Sequence, residues 1–381
     1  MKIVLAPDSF KGSLTAAQVC AAMEEGIRRY LPDADIVSAP MADGGEGTVQ
    51  SLVDATGGTF ITEQVHGPLG EPVEARFGIL GDGSTAVIEM AAASGLPLVP
   101  DDRRDPSRTT TYGTGQLIKA ALERGADTII VGIGGSATND AGAGMAQALG
   151  VTLLDAEGNP LPSGCGGREL ANLHRIDLST MDPRIAQTRF RVACDVDNPL
   201  DGERGAAYIY GPQKGADPEM VVQLDAALRT FAEVVKRDLG LDVAHIPGAG
   251  AAGGLGAGLM AFCGAKLEPG VDIVLDAIDL AGKSQGADLI ITGEGAINYQ
   301  TAFGKAPSGP VRISRQVGCP NIVIAGGVDL DANQLHEKGF GPLFSICNTA
   351  MSLSEAMDTG NAHRMVALCA EEAVRCFCLR G

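Results

Sequence analysis

Tryptophan is absent from the 381 residues, and aromatic residues together make up only 4% of the chain. Basic residues are also scarce, because 29 Lys and Arg stand against 47 Asp and Glu and leave a formal net charge of -18. A chain of this charge repels nucleic-acid backbones and anionic lipid surfaces, so the composition argues against both as partners. Glycine is abundant at 52 residues, which favours tight turns and close approach of the backbone to a ligand.

Paired cysteines are lacking as well. Nine cysteines are scattered along the chain without a C-x-x-C pair, and the five histidines show no metal-ligand spacing. These absences argue against a disulfide scaffold, a structural zinc site and zinc hydrolysis, and they favour a reducing cytoplasm. There is no G-x-S-x-G sequence, so serine-esterase chemistry has no support.

Long hydrophobic runs are few. The apolar run at the N-terminus stops at Pro7-Asp8, which is too short for an export signal. Residues 246–265 are uncharged, but seven of them are glycine and Pro247 lies near their start. We expect a buried glycine-rich turn and helix there instead of a membrane span.

The hydrophobic pattern predicts two α/β domains, the number that about 150 residues per domain also suggests. Apolar runs at 2–6 and 35–40 are each followed by a polar loop and a helix, and Thr15 to Gln18 form a T-x-x-Q capping box. The same βα rhythm returns in three later runs, 287–292, 321–325 and 343–346. These five runs predict one parallel sheet.

The middle of the chain has a different character. Extended runs at 59–65, 72–80 and 85–90 are separated by G-P-L-G and G-D-G, which are turn sequences typical of antiparallel strands. We therefore expect residues 61–284 to form an inserted α/β domain. The insertion would split the first domain into 1–60 and 285–381.

Polar loops follow three predicted strands of the first domain at their carboxyl ends, where open parallel sheets bind ligands. The loops carry these candidate residues: Asp8, Ser9 and Lys11 after the first strand, Asp43 and Glu46 after the second, and Glu294 after 287–292. Capping alone rarely needs three acidic loops and a lysine on one sheet edge, so we expect a functional site. The alternative is that Asp8 and Asp43 are ordinary turn residues.

A glycine-rich loop, residues 132–140, follows the predicted strand at 127–133 and precedes a helix. Its candidate anion-binding residues are Gly134, Gly135, Ser136, Thr138 and Asn139. Backbone N–H groups at a helix N-terminus bind phosphate or carboxylate, although an ordinary capped turn would look similar. The G-x-G-x-x-G match at 248–253 follows no convincing strand, so a dinucleotide site is the weaker interpretation, and no Walker A loop is present.

Asp195 and Asp197 follow the predicted strand at 189–194, and two carboxylates with this spacing can share Mg²⁺. A solvated turn before Pro199 and a phosphatase nucleophile at Asp195 are the alternatives. Lys214 and Lys305 each lie between turn-forming residues, where phosphate contacts and solvated loop charges are equally consistent with the sequence.

Six blocks taken together resemble the type-1 glycerate kinases, and the match runs in order across essentially the whole chain. The blocks are A-P-D-S-F-K-G-S-L (6–14), A-D-G-G-E-G-T (42–48), G-I-G-G-S-A-T-N-D (132–140), A-C-D-V-D-N-P-L (193–200), G-P-Q-K-G-A (211–216) and G-A-G-A-A-G-G-L-G (248–256). The resemblance implies a flavodoxin- or Rossmann-like parallel-sheet domain with a second mixed α/β domain inserted into it. It also implies an active site in the cleft between the domains.

The implied activity is phosphorylation of D-glycerate by ATP with Mg²⁺, and the nearest likeness is to the kinases that form 2-phosphoglycerate. With this activity, Asp195 is the candidate base, and Lys11 and Glu294 are further candidate catalytic residues. The remaining roles are substrate binding by Asp8, Ser9, Asp43, Glu46 and Lys305, ATP binding by Gly134, Gly135, Ser136, Thr138, Asn139 and Lys214, and Mg²⁺ binding by Asp195 and Asp197.

One departure from the family pattern affects this expectation. Similar sequences carry G-E-G-R-x-D-x-Q, whereas residues 293–300 of this chain place Ala296 and Asn298 at the arginine and the aspartate. Alanine cannot replace a bidentate arginine, so glycerate or phosphate should be held less firmly if that arginine is a ligand. Two alternatives stay open, a kinase that forms 3-phosphoglycerate and a non-catalytic hydroxy-acid binding protein, and the choice between monomer and homo-oligomer stays open too.

Overall fold

The computed structural model describes residues 1–45 and 47–379, so the predicted substrate ligand Glu46 lies outside the described residues. The strands are β1 (Lys2–Pro7), β2 (Asp35–Ser38), β3 (Thr59–His66), β4 (Pro72–Ile79), β5 (Thr85–Glu89), β6 (Thr128–Gly132), β7 (Thr152–Leu154), β8 (Arg175–Asp177), β9 (Arg189–Ala193), β10 (Lys266–Glu268), β11 (Leu289–Gly293), β12 (Ala296–Ile297), β13 (Asn321–Ala325), β14 (Gly327–Val328) and β15 (Leu343–Ser345). The α-helices are α1 (Ala16–Tyr30), α2 (Thr48–Thr56), α3 (Ala91–Ser94), α4 (Tyr112–Glu123), α5 (Ala143–Ala148), α6 (Ala206–Tyr210), α7 (Pro218–Leu239), α8 (Ala251–Cys263), α9 (Gly270–Ala277), α10 (Leu280–Lys283), α11 (Ser308–Val317), α12 (Leu353–Met357) and α13 (Thr359–Cys378). Short 3₁₀ helices cover Leu96–Leu98, Asp101–Arg103, Gly167–Asn172, Pro183–Gln187, Pro212–Lys214, Tyr299–Ala302 and Leu330–Lys338.

The chain forms two compact units, which we call unit one and unit two. Unit one contains residues 1–43, 50–57 and 271–381, and unit two contains residues 44–49 and 58–270. The domain borders expected from the sequence, 1–60 with 285–381 around 61–284, stay a prediction.

Unit one is built on a five-stranded sheet in the order β15-β13-β11-β1-β2. Every neighbouring pair in it is parallel. The strands coincide with the five apolar runs, so the predicted parallel sheet is confirmed. All residues of β11 and β13 are buried, as expected for central parallel strands with helices over both faces.

Helices α1 and α13 cover one face of this sheet. The predicted capping box starts α1, where Thr15 Oγ1 accepts from the Gln18 N–H at 3.2 Å and Gln18 Oε1 accepts from the Thr15 N–H at 2.9 Å. The buried side chains of both helices form one apolar cluster with Ile3, Leu5 and the neighbouring strands. Gly26 of α1 lies directly against the backbone of α13, since a Cβ there would be 1.8 Å from the Ala367 carbonyl oxygen.

Unit two is built on a six-stranded mixed sheet in the order β10-β9-β6-β5-β4-β3. The β3–β4 and β4–β5 pairs are antiparallel, as their turn sequences predict, and the pairs from β5 to β10 are parallel. The α/β fold class, with a parallel sheet and a second mixed sheet, is therefore confirmed.

The helices of unit two pack around an apolar cluster that includes Ile88, Leu117 and Phe231. Helix α7 begins where predicted, because the Asp217 side chain accepts from the Met220 N–H at 2.8 Å, and it ends at Gly240 in the left-handed conformation. The uncharged glycine-rich segment forms the buried helix α8. No helix within residues 1–45 and 47–379 has both the length and the apolar content needed to cross a membrane.

Candidate active site

The loops at the carboxyl edge of the unit-one sheet enclose a cavity of about 560 Å³. Because all five strands are parallel, the residues that follow them meet at one edge. Asp8 follows β1, Glu294 follows β11 and Gly326 follows β13. The cavity brings together these sequence-predicted residues: Asp8, Ser9, Lys11, Asp43, Glu294 and Lys305.

Of the described carboxylates that line this cavity, Asp8 is the most enclosed, with 6% of its surface exposed. The N–H of Ser9 donates to Asp8 Oδ1 at 2.6 Å, and the N–H of Asp8 itself donates to the Gly293 carbonyl at 2.8 Å. Burial raises the pKa of Asp8 to about 7, with a smaller upward contribution from Asp43 and an opposing contribution from the Ser9 N–H. A carboxyl group with such a pKa exchanges a proton near neutral pH.

The two other carboxylates that line the cavity in the described part of the chain are each paired with a lysine. Lys11 Nζ lies 3.7 Å from Asp43 Oδ2, and Lys305 Nζ lies 3.8 Å from Glu294 Oε1. Thr301 also donates its hydroxyl to Glu294 Oε1 at 2.8 Å. Burial raises the pKa of Glu294, and the Thr301 hydroxyl and Lys305 oppose this shift. These long lysine–carboxylate separations leave both cations able to bind an added anion.

The two departures from the family pattern lie in and beside this cavity. Ala296 is an exposed residue of β12 and forms part of the cavity wall. The side chain of an arginine at this position would therefore be attached at the cavity wall. Asn298 caps the following 3₁₀ helix, accepting from the Gln300 N–H at 3.1 Å. Aspartate could make the same cap, so the change to asparagine preserves the local structure.

Sequence reasoning missed Cys347, which lines the unit-one cavity, and the buried Thr301, which does not line the cavity but bonds to its residue Glu294. Thr301 lies seven residues beyond Glu294 and reaches it only because the chain turns through the 3₁₀ helix Tyr299–Ala302. Cys347 is exposed in the cavity wall after β15. Neither position had a signal in the sequence, since a lone threonine or cysteine carries no characteristic spacing.

Unit two has a separate cavity of about 450 Å³ at the ends of β6 and β9. It is lined by these sequence-predicted residues: Gly134, Gly135, Ser136, Asp195 and Lys214. Gly134 and Gly135 are exposed in its wall, directly after β6. The loop behind them is fixed, because the Ala137 N–H donates to the Ser94 carbonyl at 3.0 Å and the Thr109 hydroxyl donates to the Ala137 carbonyl at 2.8 Å. A rigid glycine loop of this kind is suited to an anionic ligand.

Lys214 is the one lysine of this cavity within the described chain, and its side chain is buried. Its Nζ donates to Ser136 Oγ and to the Thr138 carbonyl, both at 2.7 Å. Burial lowers the pKa of Lys214 to about 7, and the neighbouring Asp140 opposes this shift. The sequence left open whether Lys214 contacts phosphate or is a solvated loop charge. Its burial excludes the solvated loop charge.

Thr138 and Asn139 do not line the cavity. Both residues belong to the second half of the loop and are completely buried. Thr138 Oγ1 and both side-chain amide atoms of Asn139 have no hydrogen-bond partner among the described residues. The next residue, Asp140, was not predicted as functional but organises the loop. Its Oδ2 accepts from the N–H and the hydroxyl of Thr111 at 2.8 and 2.7 Å and from the Gly144 N–H at 3.2 Å.

The two candidate metal ligands are placed differently. Asp195 lines the unit-two cavity, and its Oδ1 accepts from the Gly270 N–H at 3.0 Å. Asp197 does not line it, since its side chain is 78% exposed and lies 3.3 Å from Arg204. No group of three metal-binding side chains occurs in the described part of the chain. Mg²⁺ in kinases often takes only one or two carboxylates and completes its shell with phosphate and water, so Asp195 fits such a role and Asp197 fits it poorly.

The glycine-rich segment 248–254 serves unit two as a structural turn. It follows turns and not a strand, which removes the context that a dinucleotide-binding turn requires. Ala252, Gly253 and Gly254 are consecutively left-handed, and a Cβ on Gly253 would lie 1.9 Å from the Thr138 carbonyl oxygen. The segment therefore packs against the glycine loop of 132–140, and Ala252 completes the cavity wall.

Comparison with known proteins agrees with this arrangement of motifs. The pattern of the Glycerate kinase family matches residues 3–378. The chain is 55% identical over 360 residues to "Glycerate kinase" of Halalkalibacterium halodurans, covering 94% of both chains, and 53% identical over 356 residues to "Glycerate 2-kinase" of Escherichia coli, covering 93% of both. A crystal structure from Salmonella typhimurium LT2, provisionally named glycerate kinase 2, superposes with a TM-score of 0.91 at 49% identity, covering 100% of this chain and 98% of the other.

Proposed function

We propose, from the premise that this chain belongs to the glycerate kinase family, that it transfers the γ-phosphoryl group of ATP to D-glycerate and forms 2-phospho-D-glycerate. The observation that carries the choice of product is the likeness to the "Glycerate 2-kinase" of Escherichia coli, 53% identical over 93% of both chains. We place the reaction in the cytoplasm, the compartment that unpaired cysteines favour.

Unit one supplies the glycerate site in this proposal. Glycerate is a small anion with two hydroxyl groups, and it needs a cation for its carboxylate and polar groups for its hydroxyls. Lys11, Lys305 and the Ser9 backbone line the cavity that also contains Asp8 and Glu294. The carboxylate of glycerate would displace Asp43 or Glu294 as the partner of one lysine, because both ion pairs are longer than 3.5 Å.

Unit two supplies the ATP site. Its exposed glycines, Gly134 and Gly135, offer backbone to the phosphates, and Ser136 is held in place by Lys214. Mg²⁺, when bound at Asp195, would neutralise charge on the phosphates. Because phosphoryl transfer passes through a loose, highly charged transition state, the contribution of this chain is mainly to position both substrates and to exclude water.

The test is to incubate purified protein with MgATP and D-glycerate and to follow ADP release. A parallel reaction contains enolase without a phosphoglycerate mutase, so that it responds only to 2-phosphoglycerate. We expect ADP release that depends on glycerate, together with an enolase signal.

Each other outcome has a distinct meaning. ADP release without an enolase signal would show the 3-phosphoglycerate-forming reaction and contradict the proposed product. No ADP release from protein that is stabilised against heat by glycerate would support the non-catalytic binding protein.

A further inference from the structure

Among the described residues, three carboxylates line the unit-one cavity, and they differ in their partners. Glu294 is held by the Thr301 hydroxyl at 2.8 Å and pairs with Lys305 at 3.8 Å, and Asp43 pairs with Lys11 at 3.7 Å. Asp8 has no cation within 4.0 Å among the described residues, and its carboxylate accepts only from the neighbouring Ser9 N–H. Among these three described carboxylates, Asp8 is therefore the one without a nearby cation.

The surroundings of Asp8 also disfavour its charged form. Its side chain is buried at the carboxyl end of β1. Burial raises the pKa of Asp8 to about 7, Asp43 and Glu294 add to this increase, and Lys11 opposes it. Lys305, the other charged residue that lines the cavity within the described ranges, faces Glu294. A proton acceptor that is half ionised near neutral pH combines a useful ionised fraction with sufficient basicity.

We propose that Asp8 is the general base of the phosphoryl transfer, in place of Asp195. The inference rests on the proposed function. One Asp8 carboxylate oxygen takes the proton of the attacking glycerate hydroxyl. At the same time, the glycerate hydroxyl oxygen forms a bond to the γ-phosphorus of ATP. The bond from the γ-phosphorus to the bridging oxygen breaks, its electron pair stays on that oxygen, and ADP leaves.

Asp195 is better suited to the phosphates. It lines the unit-two cavity beside Gly135 and Lys214, and the Gly270 N–H at the start of α9 already donates to its Oδ1. A carboxylate at this position can orient a metal-bound phosphate without accepting a proton.

The experiment measures kcat and kcat/KM for glycerate from pH 5.5 to 9 in wild type and in the variants Asp8→Asn, Asp195→Asn, Asp43→Asn and Asp33→Asn. Wild-type kcat/KM should fall about tenfold per pH unit below an apparent pKa of about 7, because Asp8 must be ionised to accept the proton. Asp8→Asn should lower kcat by about 10²- to 10⁴-fold and remove this acidic limb, while KM for glycerate changes by less than about tenfold. Asp33 is exposed before β2 and away from the cavity, so Asp33→Asn is the matched control and should retain the wild-type profile.

Asp43→Asn provides a signature that a purely structural role of Asp8 would not produce. Asp43 raises the pKa of Asp8, so its neutralisation should move the acidic limb to lower pH without abolishing it. Retention of the wild-type limb in Asp8→Asn, or a loss of less than about tenfold in kcat, would overturn the proposal. Loss of the limb in Asp195→Asn but not in Asp8→Asn would overturn it in favour of Asp195.

Two further arms separate the possible failures. If Asp8→Asn does not fold by circular dichroism, Asp8→Glu replaces it and should keep the acidic limb with kcat lowered at least about tenfold, since the carboxylate is displaced by one methylene. A wild-type limb in Asp8→Glu with unchanged kcat would contradict the proposal. Absence of any glycerate-dependent ADP release from wild type would reject the proposed function and the base together.

Discussion

At the scale of single residues, the lysine of unit two illustrates how burial determines behaviour. Lys214 Nζ donates to Ser136 Oγ and the Thr138 carbonyl, yet burial lowers its pKa from 10.5 to about 7. Between these pH values the unfolded chain keeps the proton that the folded chain has lost. The unfolded state thus binds more protons, and the contribution of Lys214 to folding stability should rise with pH from about 7 to 10.5.

The variant Lys214→Met isolates this effect. The free energy of unfolding of wild type relative to Lys214→Met should increase by on the order of 4 kcal/mol between pH 7 and 10.5, because each pKa unit corresponds to about 1.4 kcal/mol. Urea unfolding at several pH values measures the difference. Lys119→Met, an exposed change on α4, is the control and should show no such trend. A difference that is constant or falls as pH rises would contradict a neutral buried lysine.

The sequence placed Lys214 in a turn but gave no sign that its ammonium group is buried. The burial depends on Ser136 and Thr138, which are more than 75 residues away along the chain. Asp8 presents the same difficulty. Its position after β1 was predictable from the βα rhythm. Tertiary structure, however, sets the pairing of Lys11 with Asp43 and of Lys305 with Glu294. Because of these pairings, no described cation lies within ion-pair distance of Asp8.

At the scale of elements, the contact of α1 with α13 depends on a missing side chain. Gly26→Ala would ordinarily stabilise a helix by about 1 kcal/mol. Here the new Cβ would lie 1.8 Å from the Ala367 carbonyl oxygen, so the two helices must move apart. We expect Gly26→Ala to lower the free energy of unfolding by about 1–3 kcal/mol, the range for overpacking, and to lower Tm in a thermal melt.

Gly360→Ala is the matched control for this change. Gly360 lies in the first turn of α13, and a Cβ there would have its nearest contact at 3.4 Å from Asp358 Oδ1, an ordinary van der Waals distance. This variant should be neutral or slightly stabilising. Equal effects of the two substitutions would show that Gly26 is not required by the close packing of α1 on α13.

The elements that the sequence predicted are those with a clear period or cap. The five apolar runs, the capping box at Thr15 and the Asp217-to-Gly240 limits of α7 were all found where expected. The three-residue strands β7 and β8 were not predicted, since three residues are too few to show alternation. The left-handed run Ala252–Gly254 was also missed, because it is imposed by contact with the Thr138 carbonyl.

At the scale of the whole molecule, each unit has its own sheet, its own apolar core and its own cavity. Composition and the order of motifs predicted two α/β domains, and the resemblance supplied the chemistry. The motifs had already placed the candidate glycerate residues in the first domain and the candidate ATP residues in the insertion, but which of them line a cavity required the structure. It assigns the lysine–carboxylate pairs to unit one, and the glycine loop, Lys214 and Asp195 to unit two.

This division predicts which amides each ligand protects from hydrogen exchange. D-glycerate alone should slow exchange in unit one at residues 8–13 and 294–296, because these segments line the cavity with the two lysines. A non-hydrolysable ATP analogue with Mg²⁺ should slow exchange in unit two at 133–137 and 194–196. The segment around α7, which lines neither cavity, should be unaffected by either ligand and serves as an internal control. Protection of 133–137 by glycerate, with 8–13 protected by the nucleotide, would reverse the two assignments and remove Asp8 from the position in which it could accept the hydroxyl proton.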